Sequence, residues 1–324
     1  MSRRLVAKNL RQMLHLHAII QLNYLEYTVF VFFSERRAYI MLNRPLEIGN
    51  QAIMKKALSN LEEYLKADVL VYYGDIVNDS DSIIKDIIEG IKKKKDTLYV
   101  ILTTGGGVLL PVQRMVRVFR HYYNEVNFIV PNYAFSAGTI LCMSGDKIFM
   151  NYFSCLGPID PQVVNRDKKM VPALCYLDKI EELLDKARNN TLTPAEFMIL
   201  KDFDLAELKQ YEHERDLAIS LLKKWLTQYK FKDWDYHTDG TKVSDKEKEN
   251  RAIEIAEMLS DNKRWNTHGY PIDIDTLSNE LKLKIEDFSK DSKLDELIRE
   301  YNDCLNEYVT IKEYSRFIQT RSFI

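Results

Sequence analysis

The chain has 324 residues, 46% hydrophobic and 29% charged, with a formal net charge of −2. That length and balance suit a folded protein with a substantial core and exclude a disordered or fibrous chain, while the near-neutral charge gives no general pull toward nucleic acid or an anionic membrane. The four cysteines, Cys142, Cys155, Cys175 and Cys304, form no CxxC pair and stand at no metal-ligand spacing with histidine, so reduced thiols in a cytoplasm are expected, with no structural zinc and no disulfide framework.

Residues 1–65 read as an N-terminal accessory segment. Its most apolar stretch, Ala18 to Phe33, is broken by Gln21, Asn23 and Glu26, which are costly at a bilayer centre, and no small-residue cleavage site follows. It is expected neither to span a membrane nor to act as a signal peptide. A helix is predicted around Ile53 to Leu65.

From 66 to 190 the pattern becomes regular. DVLVYYGDI is a buried strand and SDSIIKDIIEGIKKKK a helix with capping candidates at its start; TLYVILTT and VLLPVQRMVRVFRHYY repeat the unit, with Pro111 tolerable in the first turn. NEVNFIVP is a third strand, SAGTILCMSG a short helix stopped by Gly145, and DKIFM a fourth strand. Strands and helices alternating at this length predict an α/β core with a mostly parallel sheet and right-handed crossovers. The lysines Lys92 to Lys95 read as the solvated end of a helix, where positive charge complements the terminal carbonyls, rather than as a nucleic-acid site.

From 191 to 324 charged amphipathic helices take over, with a polar loop near Asp233 to Asp245 and further helices at about 246–261 and 292–316. Their apolar stripes require cover from the core or from a neighbouring subunit.

Three features follow successive strands: Gly105-Gly106-Gly107, Ser136-Ala137-Gly138, and LGPIDPQ at 156–162. In a parallel sheet the carboxyl ends of successive strands open onto one edge, so all three are expected to face one crevice. Glycines at a strand end expose backbone N–H groups suited to an oxyanion. A phosphate loop is disfavoured, since no Lys-Ser/Thr follows. Ser136 at a strand-to-helix junction is either a nucleophile or an N-cap, and the Ala137 N–H at the start of the helix would face a developing negative charge.

The run TTGGG, an amphipathic helix, then VPNYAFSAGTILCMSGDKIFMNYFSCLGPIDPQ resembles the serine dehydrogenase proteinase family, which belongs with ClpP and signal peptide peptidase A in the ClpP/crotonase superfamily. The likeness covers about 68–180, and LKKWLTQYKFKDW with WNTHGYPI looks like the family's helical extension. It implies a ClpP/crotonase-like parallel-sheet core with a helical C-terminal extension. It also implies a self-assembling serine endopeptidase acting on peptides or proteins, without metal or cofactor, with Ser136 as nucleophile and Gly105 and Gly106 lining the oxyanion hole. Nothing in it specifies an ATPase partner.

A serine hydroxyl needs a proton acceptor. The histidine that ClpP carries downstream of its serine is missing from LGPIDPQ, which favours the serine-lysine dyad of signal peptide peptidases and NfeD-type proteases. Lys179, 43 positions after Ser136 and opening KIEELLDKA, is the positional counterpart, provided that it points inward and is desolvated; its alternative is a surface lysine pairing with Glu182 or nearby acids. Asp160, nearer the place of the missing histidine, is a second candidate, as orienter of a base or as a cap of the turn between Pro158 and Pro161. His268 in THGY is a third, with a structural role as its alternative. Two other functions fit the same segments: a ClpP-like scaffold or regulatory subunit without a working base, and a crotonase-like acyl enzyme, against which stands the serine at the helix start.

Overall fold

The computed structural model describes residues 31–34, 37–40, 45–159, 162–164 and 170–323. Residues up to Asn50 form one compact unit and Gln51–Ile324 another. In the first unit, β1 (Val31–Ser34) and β2 (Arg37–Ile40) pair as an antiparallel hairpin. Asp160 lies outside the described residues.

The second unit is built on a six-stranded sheet. Its strands are β3 (Asp68–Gly74), β4 (Thr97–Thr103), β5 (Glu125–Ile129), β7 (Lys147–Met150), β12 (Glu286–Asp287) and β13 (Arg316–Gln319), in the order β12-β7-β5-β4-β3-β13. All neighbours are parallel except β13, which runs antiparallel to β3. A second sheet, in the order β11-β8-β6, joins the two-residue strands β6 (Tyr133–Ala134), β8 (Cys155–Leu156) and β11 (Ile272–Asp273), and β9 (Gln162–Val164) pairs with β10 (Met170–Pro172).

The strands are apolar on both faces because both are covered. Side chains alternate across a strand, so Leu70 and Tyr72 of β3, Leu98, Val100 and Leu102 of β4, and Val126 and Phe128 of β5 enter one core. Val69, Val71, Ile101 and Ile129 enter the other. The first core is covered by the helices Ser80–Gly90 and Leu109–Tyr122 through Ile84, Ile88, Val112, Met115 and Phe119. The second is covered by Met54, Leu58 and Leu61 of the helix Pro45–Leu65 and by Leu297, Ile298, Tyr301 and Leu305 of the helix Ser292–Ile311. Near-continuous apolar strands are the expected signature of this sandwich.

The longer C-terminal helices bury their stripes in the same molecule, whereas the helix Pro194–Lys201 leaves Phe197, Met198 and Ile199 exposed. Ala218, Leu221, Leu222 and Trp225 of the helix Leu205–Trp225, with Ala252, Ile255 and Leu259 of the helix Asp245–Ser260, belong to the first core. The latter helix starts with a reciprocal cap between Ser244 and Glu247.

Three boundaries differ from the sequence reading, the first being that the helix expected around Ile53 to Leu65 begins at Pro45. The helix Ser80–Gly90 stops before the lysine run; Lys94 Nζ donates to the C-cap carbonyl Ile91 O at 2.9 Å, as expected for a helix end, whereas Lys95 Nζ donates to Glu62 O of the helix Pro45–Leu65 at 3.0 Å. The last helix ends at Ile311 instead of running to 316, because Arg316–Gln319 is drawn off as the edge strand β13.

Candidate active site

Consecutive parallel strands β3, β4, β5 and β7 are neighbours, so the loops after them share one edge. The glycine run follows β4 and the serine turn follows β5. Backbone bonds sew the two turns together: Thr104 N–H donates to Tyr133 O at 3.1 Å, and Phe135 N–H donates to Thr104 O at 3.0 Å. A Cβ placed on Gly106 would lie 2.8 Å from Phe135 O and from Ser136 Cβ, and 3.4 Å from Ala137 N. Gly106 therefore presses its bare Cα against the serine turn, and with φ +107° it occupies a region that other residues rarely adopt.

Ser136 itself has φ 51° and ψ −116°, an unfavourable conformation for a residue with a Cβ. The strain is held in place by Gly138 N–H donating to Phe135 O at 2.8 Å and Ile140 N–H to Ser136 O at 3.1 Å. Gly138 is required here because a Cβ would collide with Thr104 Cγ2. The side chain of Ser136 makes no capping bond to the helix Ala137–Cys142, so the N-cap reading of this serine is not what the geometry shows. Ser136 is half-buried, and its hydroxyl has no hydrogen-bond partner among the described residues. A strained, uncapped serine at a strand-to-helix turn is the geometry of a nucleophile elbow.

The loop after β7 is pinned to the same turn by Thr139. Its Oγ1 lies 2.8 Å from Ala134 O and 2.9 Å from Gly157 O and accepts the Gly157 N–H at 3.0 Å. LGPI thus meets the serine helix, as the shared edge requires.

The glycines divide their roles in a way that sequence does not show. Gly106 N–H is spent on Thr104 Oγ1 at 3.0 Å, and its carbonyl accepts from Ile76 N–H at 2.7 Å. Among the described residues the N–H groups of Gly105, Gly107 and Ala137 have no such partner. Gly105 faces the Asp75 carboxylate, whose Oδ1 would stand 2.9 Å from a Cβ there, a poor neighbour for an oxyanion. Sequence reasoning missed Gly107, Thr104 and Thr139, because which amide is engaged and what those hydroxyls bond is set only once loops distant in sequence meet.

Lys179 lies within the helix Ala173–Arg188, not at its start, and its ammonium contacts Glu182 at 2.9 and 3.0 Å with about half of its side chain in water. It is a charge-paired surface lysine in this arrangement, and the inward, desolvated placement that a base requires is not seen. His268 is half-buried and has an interaction partner. Tyr133 stacks on Phe135 with ring centroids 5.2 Å apart, and burial, with Tyr73 and Asp75 nearby, raises its phenol above the ordinary range. Among the described residues no cluster of three His, Cys, Asp or Glu is placed to hold a metal ion, and no helix is long and apolar enough to cross a membrane.

A family model described as ClpP-like SDH-type serine proteinase matches residues 62–318. Two uncharacterised proteins of Methanocaldococcus jannaschii align with the chain: MJ0137 at 30% identity over 217 residues, 67% of this chain and 62% of its own length, and MJ1495 at 25% identity over 207 residues, 64% and 58%. The chain therefore spans about three fifths of the length of these relatives. Among solved structures, a serine-to-alanine variant of the 1510-N membrane-bound stomatin-specific protease aligns with 70% of this chain and 82% of its own at 12% identity and a TM-score of 0.41. An asparagine-to-aspartate variant of ClpP1 from Listeria monocytogenes aligns with 54% and 82% at 12% identity and a TM-score of 0.33. With a family match over most of its length, the chain belongs to the ClpP-like SDH-type serine proteinases.

Proposed function

We propose that this chain is a serine endopeptidase that cleaves peptide bonds through an acyl-enzyme on Ser136. The observation that carries the reading is the strained, uncapped conformation of Ser136 against the bare face of Gly106. In the proposed reaction Ser136 Oγ attacks the scissile carbonyl, the amine leaves with a proton, and water then hydrolyses the ester. The N–H groups of Ala137 and Gly107 hold the oxyanion, while Gly106 contributes the space that a side chain would fill. The loops at this edge each expose an apolar side chain, Val77 after β3, Val108 and Leu110 after β4, Tyr133 after β5, and Tyr152 and Phe153 after β7, a surface suited to an extended polypeptide.

Lys179 is the proposed base, on one condition set by its surroundings. An exposed pair such as Lys179–Glu182 is weak and easily opened, but the lysine must then be drawn out of water to give up its proton near neutral pH. Self-association or substrate binding supplies that burial. A second reading, a regulatory subunit without a working base, draws on the same observation, that Lys179 is held by Glu182.

A fluorophosphonate probe separates the two. Labelling of the wild type and not of Ser136→Ala supports the peptidase, and absence of labelling at every concentration supports the regulatory subunit. Loss of labelling in Lys179→Ala supports the dyad; retained labelling there, with loss in Asp160→Asn or His268→Ala, replaces it with a different base.

A further inference from the structure

We infer that Thr104 is a positioning residue for the oxyanion-binding turn, acting through its hydroxyl on the glycine run; the inference rests on the reading of Ser136 as nucleophile. Thr104 is fully buried and belongs to both turns of the site. Its backbone forms an isolated parallel bridge with Ala134, accepting from Phe135 N–H and donating to Tyr133 O. Its methyl group fills the space over Gly138, where a Cβ would collide with it. Its Oγ1 accepts the N–H of Gly106 at 3.0 Å and stands 3.4 Å from Gly106 O.

One side chain thus fixes the distance between the serine helix and the glycine turn and also dictates which amide points where. With the Gly106 N–H held inward by Thr104 Oγ1 and the Gly106 carbonyl held by Ile76 N–H at 2.7 Å, both ends of the residue are committed to the protein. The next peptide carries the Gly107 N–H, which has no partner among the described residues, while the bare Cα of Gly106 lies against the serine turn, where a Cβ would stand 3.4 Å from Ala137 N. Without the hydroxyl, the Gly106 N–H has no partner in a buried site, and the peptide rotates to find one. The Gly107 donor shares its peptide with the Gly106 carbonyl, which then keeps Ile76 N–H but loses Thr104 Oγ1 at 3.4 Å, so the direction of that donor is less firmly set. The hydroxyl touches no substrate atom; it sets the direction of a group that does.

The test measures the fluorophosphonate acylation rate of Ser136 together with amide hydrogen exchange at Gly106, in wild type, Thr104→Val, Thr104→Ser and Thr104→Cys, with Ser136→Ala as the control. The Thr104→Val change keeps shape and removes the acceptor. It is expected to lower the acylation rate constant about 10- to 100-fold through misplacement of a transition-state donor, with peptide KM unchanged and Gly106 exchange accelerated. Thr104→Ser keeps the acceptor and is expected to restore both to near the wild-type values. Should Thr104→Val fail to fold, the Ser and Cys variants carry the same comparison, since they differ in the strength of the acceptor and both lack the methyl. Wild-type acylation in Thr104→Val or Thr104→Cys, with Ser136→Ala unlabelled, overturns the role of Thr104 alone. No labelling of the wild type overturns the nucleophile reading and this inference with it.

Discussion

At the scale of single residues, Ser136 combines two properties that stability alone would not retain. A non-glycine residue in its conformation carries roughly 1–3 kcal/mol of strain, and its hydroxyl forgoes the capping bond that a serine there would ordinarily make. Ser136→Gly is therefore expected to raise the midpoint of chemical denaturation relative to Ser136→Ala while abolishing probe labelling. A lower midpoint for the glycine variant would show that the strain is not real. Gly106→Ala is the converse change: the added Cβ meets Phe135 O and Ser136 Cβ at 2.8 Å in a backbone region that suits only glycine, so both labelling and stability fall. Ser136 and the glycine run were legible in the sequence because each sits just after a strand whose apolar run is unmistakable. Thr104 and Gly107 were not, because which N–H is engaged depends on the loops that arrive from elsewhere; for Lys179 the sequence left two readings open, and the structure shows the one paired with Glu182.

At the scale of elements, two ionic clusters fasten the later part of the chain to the core. Arg321, after β13, reaches Glu62 at 2.9 Å and the fully buried Asp68 at 2.5 Å, and Asp68 also accepts from Tyr123 Oη at 2.9 Å. Removing the cation leaves Asp68 buried and short of its partner, so Arg321→Met is expected to destabilise the protein by about 3 kcal/mol, read from denaturant unfolding at constant slope. Asp146, at the start of β7, is the second cluster. Burial would raise its carboxyl, but Lys232, the Val126 N–H and Arg120 outweigh that and hold it below the usual range. Arg120 also lies over the Tyr229 ring, 3.8 Å from its centroid, which ties the helix Leu109–Tyr122 to the π-helical turn Leu226–Lys230. On that turn, burial lowers the Lys230 ammonium to about 8, with Lys284 and Lys147 adding repulsion against the pull of Glu286 and Asp146. Between about pH 8 and the ordinary lysine value the unfolded chain holds a proton that the folded chain has released, so stability contributed by this group rises with pH across that window. Below pH 8 the cost of the buried charge is fully present. Lys230→Met should be more stable than wild type at pH 7, with the gap narrowing by pH 10; a gap that does not narrow would exclude Lys230 as the titrating group.

At the scale of the whole molecule, the proposed base condition ties activity to assembly. If burial of Lys179 comes from self-association, activity per chain should fall on dilution in step with dissociation followed by sedimentation, and a strictly monomeric sample with full activity at nanomolar concentration removes the link. By itself the sequence determined the α/β architecture of residues 68–150, because apolar strand runs and helical periodicity are local signals set by burial on two faces of a sheet. It also determined which two turns carry Ser136 and the glycines, since parallel strands deliver their loops to one edge. The tertiary structure alone decided that Arg316–Gln319 becomes an edge strand rather than the end of a helix, because β3 offers it an open row of hydrogen-bonding groups. It alone decided that Gly106 commits its amide to Thr104 while those of Gly105 and Gly107 have no such partner, and which of the two readings of Lys179 holds, since hydrogen bonds and exposure belong to neighbours brought together in space and leave no period in the chain.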